Sequence, residues 1–392
     1  MKINYLIVSI FTSCFLLSCT KTEQKSAKLA TNYISVHEVL DTEYITSDTI
    51  TQNNISFINS SSNKEVSILN HLEKTSFHFF NDIEFKNKDI GILVGGAGLI
   101  TRITKNGGKT WLENRFSRFG NPFYAAAFLE NSIFVVGDSE YIFKTVDYGE
   151  NWSVFNTKQL FEKRGYFSPK YYKTHFITKQ IGFIVGSGYI SGEENSFSVI
   201  LKTVDGGKNW VNIEHKGLSE SAEGISDFVA FSEQEIMIVT FSGRCYKSID
   251  GGINWKLLYE NKDEFVNLNS IAFLTPEIGL IGGLGGYLLY TKNAGKDWLK
   301  IELPKLGNGY KSNISDIVFT NNAALITTAI SYSDYRENFV YKIDKDGTNV
   351  RPFLTTESEE VLLMGDSYGV EVLNNDVYIL DRNNLYKTSI ID

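Results

Sequence analysis

The sequence predicts an all-β chain folded as a β-propeller of seven blades, each with four antiparallel strands, and six blades are the alternative. One phrase, Ser/Thr-x-Asp/Asn-x-Gly-x-x-Trp, occurs five times and uses all five tryptophans of the 392-residue chain. Three short apolar runs separated by turn residues precede each phrase, and long amphipathic helical patterns are absent from the sequence. Repeating units of about 40 to 45 residues, each with four short strands and with glycine and aromatic residues at the turns, are typical of propeller blades.

The five phrases predict structural turns between the third and fourth strands of their blades. They start at intervals of 41, 58, 45 and 43 residues. Asp and Asn side chains accept backbone N–H groups two residues on, glycine adopts positive φ at little cost, and a tryptophan ring packs beneath such a turn. Asn replaces Asp in two copies, which a hydrogen-bonded turn tolerates and a titrating catalyst does not. The turn positions are Thr104, Asn106, Gly108, Trp111, Thr145, Asp147, Gly149, Trp152, Thr203, Asp205, Gly207, Trp210, Ser248, Asp250, Gly252, Trp255, Thr291, Asn293, Gly295 and Trp298.

The last two units lack the tryptophan. Residues 313–353 show the blade pattern with a degraded turn, and the chain ends after three strands of the unit that follows. Residues 65–73, which precede the first strand of the first blade, can supply the missing fourth strand. We therefore predict that an N-terminal strand completes the last blade and leaves no exposed sheet edge at the seam. Six blades result if the degraded unit is an insertion.

These phrases resemble Asp-box (BNR) repeats. The longer unit, as in "GFIVGSG…VILKTVDGGKNW", is similar to the photosystem II assembly and stability factor-like repeat of exported bacterial propellers. The resemblance is clear from Phe77 to Trp298 and weaker elsewhere. It implies the fold and leaves the function open, because Asp-boxes occur in sialidases, xyloglucanase-type glycoside hydrolases, sortilin-type receptors and non-catalytic assembly factors.

The N-terminus predicts export and lipid anchoring. Lys2 precedes an apolar run over residues 3–17, which is short for a membrane span and typical of a signal peptide. "LLSC" resembles a bacterial lipoprotein signal box, in which Cys19 becomes the lipidated first residue; an ordinary signal peptide that contains a cysteine is the alternative. We predict a signal peptide over 1–19, a polar tether and extension over 20–60, and the propeller over 61–392, held in the cell envelope on the periplasmic side or at the cell surface.

Composition and cysteine usage exclude several classes of partner and cofactor. The chain has 46 Asp and Glu against 38 Lys and Arg and no basic run, so nucleic acid is not expected as a partner and the membrane is expected only through the lipid anchor. Cys245 is the one thiol of the predicted propeller, and the five histidines lack metal-ligand spacing. We expect no metal and no cofactor.

The candidate binding surface is the face opposite the Asp-box turns. Propeller topology places the turns between second and third strands, and the links between blades, on that face. Three of these loops are long, at residues 156–174, 187–198 and 329–339. Exposed aromatics beside carboxylates suit glycan stacking or a protein hot spot, whereas the alternative is that long loops fill their own gaps with aromatic rings. The candidate residues are Tyr166, Tyr171, Tyr172, Tyr189, Glu193, Glu194, Tyr332, Asp334, Tyr335 and Arg336.

No catalytic signature is complete. The arginine triad of sialidases is missing, and "GDSYG" matches a nucleophile elbow without the strand–turn–helix context that the motif needs. Glu193 or Glu194 opposite Asp334 is a conceivable carboxylate pair for glycoside hydrolysis. The sequence favours a non-catalytic exported propeller that binds or helps to assemble a protein or glycan partner, with enzymatic activity left open. A carbohydrate-active enzyme, a glycoside hydrolase or lyase, is the alternative, and sortilin-like peptide capture in the central tunnel is a third.

Overall fold

The computed structural model describes residues 33–40, 45–51, 55–59, 64–71, 79–96, 98–117, 121–161, 167–190, 196–219, 223–261, 266–304, 312–329, 339–355, 367–381 and 384–390. Within these ranges the strands form seven antiparallel sheets. The innermost strands of consecutive sheets contact one another, and the seventh contacts the first. The sheets are therefore the blades of a closed ring around a central channel, and the predicted seven-bladed β-propeller is confirmed.

The strands run in chain order from an N-terminal group into the blades. The N-terminal group has β1 (Tyr33–Ser35), helix α1 (Val36–Val39), β2 (Thr46–Thr51), β3 (Ile55–Asn59) and β4 (Lys64–His71). Blade 1 has β5 (Phe80–Phe85), β6 (Gly91–Gly95), β7 (Ile100–Thr104) and β8 (Thr110–Arg115). Blade 2 has β9 (Phe123–Leu129), β10 (Ser132–Gly137), β11 (Tyr141–Thr145) and β12 (Ser153–Asn156). Blade 3 has β13 (Phe167–Phe176), β14 (Gly182–Ile190), β15 (Ser196–Thr203) and β16 (Val211–Asn212).

The later blades follow the same order. Blade 4 has β17 (Ile225–Ala230), β18 (Ile236–Thr240), β19 (Arg244–Ser248) and β20 (Lys256–Glu260), and blade 5 has β21 (Leu268–Phe273), β22 (Gly279–Gly283), β23 (Tyr287–Thr291) and β24 (Leu299–Glu302). Blade 6 has β25 (Asn313–Phe319), β26 (Ala323–Ala329), β27 (Phe339–Asp344) and β28 (Arg351–Thr355). Blade 7 has β29 (Ser367–Leu373), β30 (Asp376–Asp381) and β31 (Asn384–Ser389). Within the described ranges, two short 3₁₀ helices lie at Thr157–Leu160 and Leu284–Gly286.

The N-terminal segment closes the ring, as predicted. Strand β4 pairs antiparallel with β31 and supplies the fourth strand of blade 7, and β3 adds a fifth. Strands β2 and β1 add fifth strands to blades 1 and 2. Three of these strands lie before residue 61, within the segment that the sequence analysis assigned to a polar extension. A strand added at the outer edge of a sheet is held by backbone pairing and needs little alternation of apolar and polar residues. A polar run such as "TSDTIT" therefore carries no strand pattern in the sequence, although it forms β2.

The core lies between neighbouring blades. Strands β6, β18 and β22 are buried at every position, because both faces of each sheet are covered by the adjacent sheets. Contacts that join two blades are mostly apolar; Phe85 of blade 1, for example, stacks on Tyr378 of blade 7 with ring centroids 4.0 Å apart. This face-to-face packing fixes the positions of the inner strands that line the channel.

Candidate functional site

The Asp-box phrases form hydrogen-bonded turns between the third and fourth strands of blades 1 to 5. In blade 3 the Thr203 hydroxyl donates to Asp205 Oδ1 at 2.9 Å and accepts the N–H of Gly207 at 2.9 Å. Asp205 Oδ1 also accepts the N–H of Asn209 at 2.9 Å. The Gly206 N–H donates to the carbonyl of Gln180, in the turn between the first two strands of the same blade. Both kinds of turn therefore lie on one face, which we call the Asp-box face.

The two copies with Asn make the same central contact as the copies with Asp. Asn106 Oδ1 accepts the N–H of Thr110 at 2.9 Å, and Asn293 Oδ1 accepts that of Asp297 at 3.0 Å. Because an amide cannot act as an acid or base at neutral pH, the shared geometry fits a structural role for all five copies.

The tryptophans pack beneath these turns to different depths. Trp111 is fully buried, and its Nε1–H donates to the carbonyl of Gly108 at 3.0 Å. Trp210 is buried too and donates to the hydroxyl of Tyr33 at 3.0 Å, so strand β1 is fastened to blade 3. Trp298 is only partly buried, and its Nε1 has no hydrogen-bond partner in the described part of the chain.

Every inner strand carries a β-bulge at the same position, near the end that faces away from the Asp-box face. In each blade one residue is skipped in the pairing of the first strand with the second. These residues are Asn81, Tyr124, Tyr172, Ser226, Asn269, Ser315 and Tyr368. A bulge re-aims the side chains around it, so the seven bulges give the inner strands a common register along the channel.

The residue after the bulge is an aspartate in three blades, and each aspartate fastens its blade to the next. One carboxylate oxygen accepts a backbone N–H from the neighbouring inner strand at 2.9 to 3.1 Å. The pairs are Asp82 with Ala126, Asp227 with Ile271, and Asp316 with Val370. These carboxylates are thus held in place by the backbone they accept from.

Titratable side chains occupy half of the first and third positions after the bulges, and we call this set the channel cluster. Its members are Asp82, Glu84, Lys173, His175, Asp227, Asp316 and Glu371. Lys173 Nζ lies 4.0 Å from Asp82 Oδ1. Two other blades place small residues at these positions, Ala125 and Ala127 in blade 2 and Ser270 and Ala272 in blade 5. The cluster therefore has five carboxyl groups and one lysine.

Burial and mutual repulsion raise the pKa values of the carboxyl groups. Burial raises the pKa of Asp82 and of Asp227 to about 6, although the charge of Lys173 opposes it. Burial and the charge of Asp82 raise the pKa of Glu84 to about 8. Burial and the charge of Glu84 also raise the pKa of Glu371. The single lysine does not offset the cost of burying so many carboxylates together.

The two basic members of the cluster shift in opposite directions. Burial lowers the pKa of Lys173, but the charges of Asp82 and Asp316 outweigh it and hold the pKa of that ammonium above its usual value. Burial, together with the Lys173 charge, lowers the pKa of His175. The histidine therefore adds little positive charge, and Lys173 is the resident cation of the cluster.

A row of aromatic rings, which we call the aromatic arc, crosses three blades at the mouth of the channel opposite the Asp-box face. It consists of Tyr124, Tyr172 and Phe241, all partly exposed. The ring centroids of Tyr124 and Tyr172 are 5.1 Å apart, and those of Tyr172 and Phe241 are 4.9 Å apart. An ion pair between Lys170 and Asp138, with a 3.0 Å contact, flanks the arc at Tyr124.

Tyr189 extends this surface outward. The residue is 46% exposed, more than the other tyrosines among the described candidates. It lies two residues beyond Ser187, whose hydroxyl contacts that of Tyr172 at 3.5 Å, and so projects from the same side of the sheet as Ser187. Two of the candidates taken from the sequence, Tyr172 and Tyr189, thus share one surface.

The other candidates do not contribute to the described surface. Tyr171 is fully buried, and its hydroxyl donates to Thr157 Oγ1 at 2.7 Å, so it belongs to the core between blades 2 and 3. Its neighbour Tyr172 is the bulged residue, and the bulge changes the face of the sheet to which the following side chains point. The remaining candidates lie outside the described residues: Tyr166, Glu193, Glu194, Tyr332, Asp334, Tyr335 and Arg336. The lipidation candidate Cys19 lies outside them as well.

Sequence reasoning missed Tyr124, Phe241 and the channel cluster. Tyr124 lies in an inner strand and Phe241 in a tight turn, where loop length gives no signal. The cluster had a signal: the polar pairs "ND", "SD", "NS" and "SD" recur at the start of the first strand of blades 1, 4, 5 and 6. When a polar pair recurs at the same position of otherwise apolar inner strands, it indicates that the inner strands use this position for the same kind of contact.

Other residue types that often carry chemistry are accounted for by packing. Cys245 is buried in the core between blades 4 and 5, and burial raises the pKa of its thiol. Among the described residues no group of three His, Cys, Asp or Glu side chains is arranged to hold a metal ion. No helix in the described ranges is long and apolar enough to cross a membrane.

Comparison with solved structures supports the fold. The chain is similar to a structure described as YCF48 bound to D1 peptide, at 17% identity and TM-score 0.58, over 84% of this chain and 95% of that one. It is similar to YCF48 from Cyanidioschyzon merolae, at 17% identity and TM-score 0.59, over 82% and 99%. It is also similar to oligogalacturonate lyase from Vibrio parahaemolyticus, at 11% identity and TM-score 0.57, over 88% and 99%. At these identities the similarity concerns the fold alone.

Comparison with protein families is more specific. No protein of curated function matches the sequence significantly. The sequence profile of the family described as photosynthesis system II assembly factor YCF48 matches residues 61–163 and 227–349, more than half of the chain. These ranges contain four of the five Asp-box phrases, the inner strands of blades 1, 2, 5 and 6, and most of the inner strand of blade 4. The chain therefore belongs to the photosynthesis system II assembly factor YCF48 family of BNR-repeat propellers.

Proposed function

We propose that the protein binds an extended segment of a partner protein on the face opposite the Asp-box turns, at the aromatic arc. The observation that carries the proposal is the arc itself, in which three partly exposed rings from three neighbouring blades meet at the channel mouth. Rigid aromatic side chains lose little conformational entropy on binding and dominate protein hot spots. The relative described as YCF48 bound to D1 peptide supports a peptide as the kind of ligand.

The ring geometry favours a peptide over a glycan. Sugars stack on ring faces that are open and flat. In the arc the planes of Tyr124 and Tyr172 are inclined at 42°, and those of Tyr172 and Phe241 at 81°. Rings set at such angles form the walls of small pockets, which suit the side chains of an extended peptide better than a flat sugar ring.

A carbohydrate-active enzyme is the alternative function, and the channel carboxylates argue against it. Asp82, Asp227 and Asp316 each hold a backbone N–H of the next blade, which fixes them as structural acceptors. The carboxylate pair that the sequence suggested, Glu193 or Glu194 with Asp334, lies outside the described residues. We expect no reducing ends when the protein is incubated with a panel of polysaccharides; their release, abolished in Asp334→Ala, would establish the enzyme instead.

The binding proposal is tested with selected peptides. Phage-displayed random peptides are selected on the purified protein, synthesised with a fluorophore, and titrated by fluorescence anisotropy. We expect the double variant Tyr172→Ala/Phe241→Ala to bind at least about 10-fold more weakly, as for loss of a hot spot. Tyr148→Ala, which removes a partly exposed tyrosine from the Asp-box turn of blade 2, is the matched control and keeps its affinity. Equal affinity of the arc variant and the wild type would refute the proposal, provided that circular dichroism shows both folded.

We also propose that the mature protein is exported and anchored through a lipid on Cys19. The support is the apolar run over residues 3–17 and the "LLSC" box. A diacylated or triacylated cysteine gives stable membrane attachment, whereas one chain does not. Metabolic labelling with radioactive palmitate in a bacterial host tests the proposal: label is expected in the wild type and absent in Cys19→Ala, and equal labelling of both would exclude Cys19 as the site.

A further inference from the structure

We propose that the bound segment inserts a cationic side chain, from lysine or arginine, past the aromatic arc into the channel, where the channel cluster binds it. This inference rests on the proposed function and specifies the chemistry of the partner. Three features carry it: the continuity of the arc with the cluster, the charge of the cluster, and two glutamate carboxyl groups that make no hydrogen bond or ion pair within the described residues.

The arc opens directly onto the cluster. Tyr172 is the bulged residue of blade 3, and Lys173 follows it one step deeper along the same strand. In blade 4 the bulged residue Ser226 precedes Asp227, and Phe241 lies on the turn at the same end of that blade. A strand rises about 3.3 Å per residue, so the first carboxylates lie roughly one residue below the rings and Glu84 and Glu371 about two residues deeper. A lysine or arginine side chain that enters past the rings reaches the first carboxylates, and its charge acts on Glu84 and Glu371 beyond them.

The charge of the cluster selects a cation. Among the described residues, five carboxyl groups line this part of the channel against one ammonium, that of Lys173. Blades 2 and 5 contribute only Ala125, Ala127, Ser270 and Ala272 at the equivalent positions, so they add neither positive charge nor bulk. An anionic side chain would meet repulsion from the charges of Asp82, Asp227 and Asp316, whereas a second cation would reduce the imbalance and favour ionisation of the deeper glutamates.

Two of the carboxyl groups are not committed to the fold. Asp82 Oδ2, Asp227 Oδ2 and Asp316 Oδ2 accept backbone N–H groups of the next blades. Glu84 and Glu371, on the adjacent strands β5 and β29, make no hydrogen bond or ion pair within the described residues. Repulsion from neighbouring carboxyl groups, Asp82 above all, acts on both, and the charge of Lys173 opposes it only in part. Partly buried carboxylates without donors are costly to keep ionised, so a donor that supplies both charge and hydrogen bonds is favoured there.

The test uses peptide pools rather than a single ligand. Acetylated and amidated octapeptide pools carry tyrosine at one fixed position and lysine, arginine, norleucine or glutamate at a second, with the other positions randomised. Binding to the purified protein is measured by anisotropy. We expect the lysine and arginine pools to bind at least about 10-fold more tightly than the norleucine pool, and the glutamate pool to bind most weakly.

Variants assign the preference to the channel. Glu84→Gln/Glu371→Gln should abolish the preference for cationic pools and leave binding of the norleucine pool unchanged. Lys173→Met, which removes the competing resident cation, should strengthen binding of the cationic pools. Glu150→Gln, which removes an exposed carboxylate on the Asp-box face, is the control and leaves all pools unchanged. Thermal melting verifies that each variant folds.

The outcomes separate this inference from the proposed function. If all pools bind equally and Tyr172→Ala/Phe241→Ala still weakens them, the arc binds peptides but the channel does not select a cation, and the inference is overturned. If the cationic preference persists in Glu84→Gln/Glu371→Gln, the inference is overturned as well. If no pool binds and selection on phage yields no peptide, the proposed function itself fails.

Discussion

The Asp-box face and the channel side of the same blades are built by opposite rules. On the Asp-box face five blades repeat one turn, and each hydroxyl, carboxylate or amide of the motif is satisfied within its own loop, as in Thr203 to Asn209. On the channel side seven blades share one bulge, but the residue after it changes from Asp82 to Ala125, Lys173 and Gly369 around the ring.

This difference separates the residues that stabilise the fold from the residues that, in our proposal, bind the partner. A repeated residue with local partners serves the fold of each blade, and its loss should affect stability and nothing else. A shared backbone position with a different side chain in each blade gives the ring an asymmetric channel, which is what recognition of one partner requires. Removing residues of each kind should therefore have separate consequences for stability and for binding.

The largest effect on stability is expected from Trp111→Ala on the Asp-box side. The side chain is fully buried and its Nε1–H is bound, so the change should lower the free energy of unfolding by about 3–5 kcal/mol. Trp298→Ala, at the equivalent position of blade 5, removes a partly exposed ring without a bound N–H and should cost less than about 2 kcal/mol. Urea denaturation measures the loss of unfolding free energy in each variant. Equal losses would contradict the expectation that the more deeply buried tryptophan contributes more stability.

An intermediate effect is expected from Glu84→Gln in the channel, and it depends on pH. The folded pKa of about 8 exceeds the ordinary value of 4.5, so the folded state holds this proton more tightly than the unfolded state. Stability from this group is complete below about pH 4.5 and is lost as the pH rises towards 8. Asp82 on the same strand, Glu371 of blade 7 and Lys173 of blade 3 are the charges that act on it.

Glutamine removes this titration. We expect Glu84→Gln to match the wild type near pH 4.5 and to exceed it by about 1–3 kcal/mol at pH 8, a range set below the full shift because the channel is partly hydrated. Urea denaturation at both pH values measures the difference, with Glu150→Gln as an exposed control. A difference that is independent of pH would mean that Glu84 titrates normally.

The smallest effect is expected from Asp205, on the Asp-box face. Asp205→Ala removes an acceptor of two backbone N–H groups, those of Lys208 and Asn209, and should cost about 1–2 kcal/mol. Asp205→Asn should stay within about 0.5 kcal/mol of the wild type, because Asn106 and Asn293 make the same contact in their blades. Thermal melting of the two variants measures both, and a large loss in Asp205→Asn would indicate that the charge itself matters.

The sequence predicts the scaffold better than the site for a physical reason. A turn with its own hydrogen bonds is written in eight contiguous residues, so five copies and the strand that closes blade 7 are predictable. The channel cluster is assembled from single residues of different blades, and its members are close only because the ring closes. Tyr171 shows the limit clearly: it stands beside Tyr172 in one aromatic run, but the bulge buries the first and exposes the second.

Hydrogen–deuterium exchange with a selected peptide bound tests the separation of the two faces most directly. Amides of residues 123–127, 171–175 and 240–243, which carry the arc and the adjacent channel positions, should exchange more slowly in the complex. The Asp-box phrase at residues 203–210 should exchange at the same rate with and without peptide. Protection of the Asp-box phrases, with unchanged exchange at the arc, would contradict the assignment of function to the channel side.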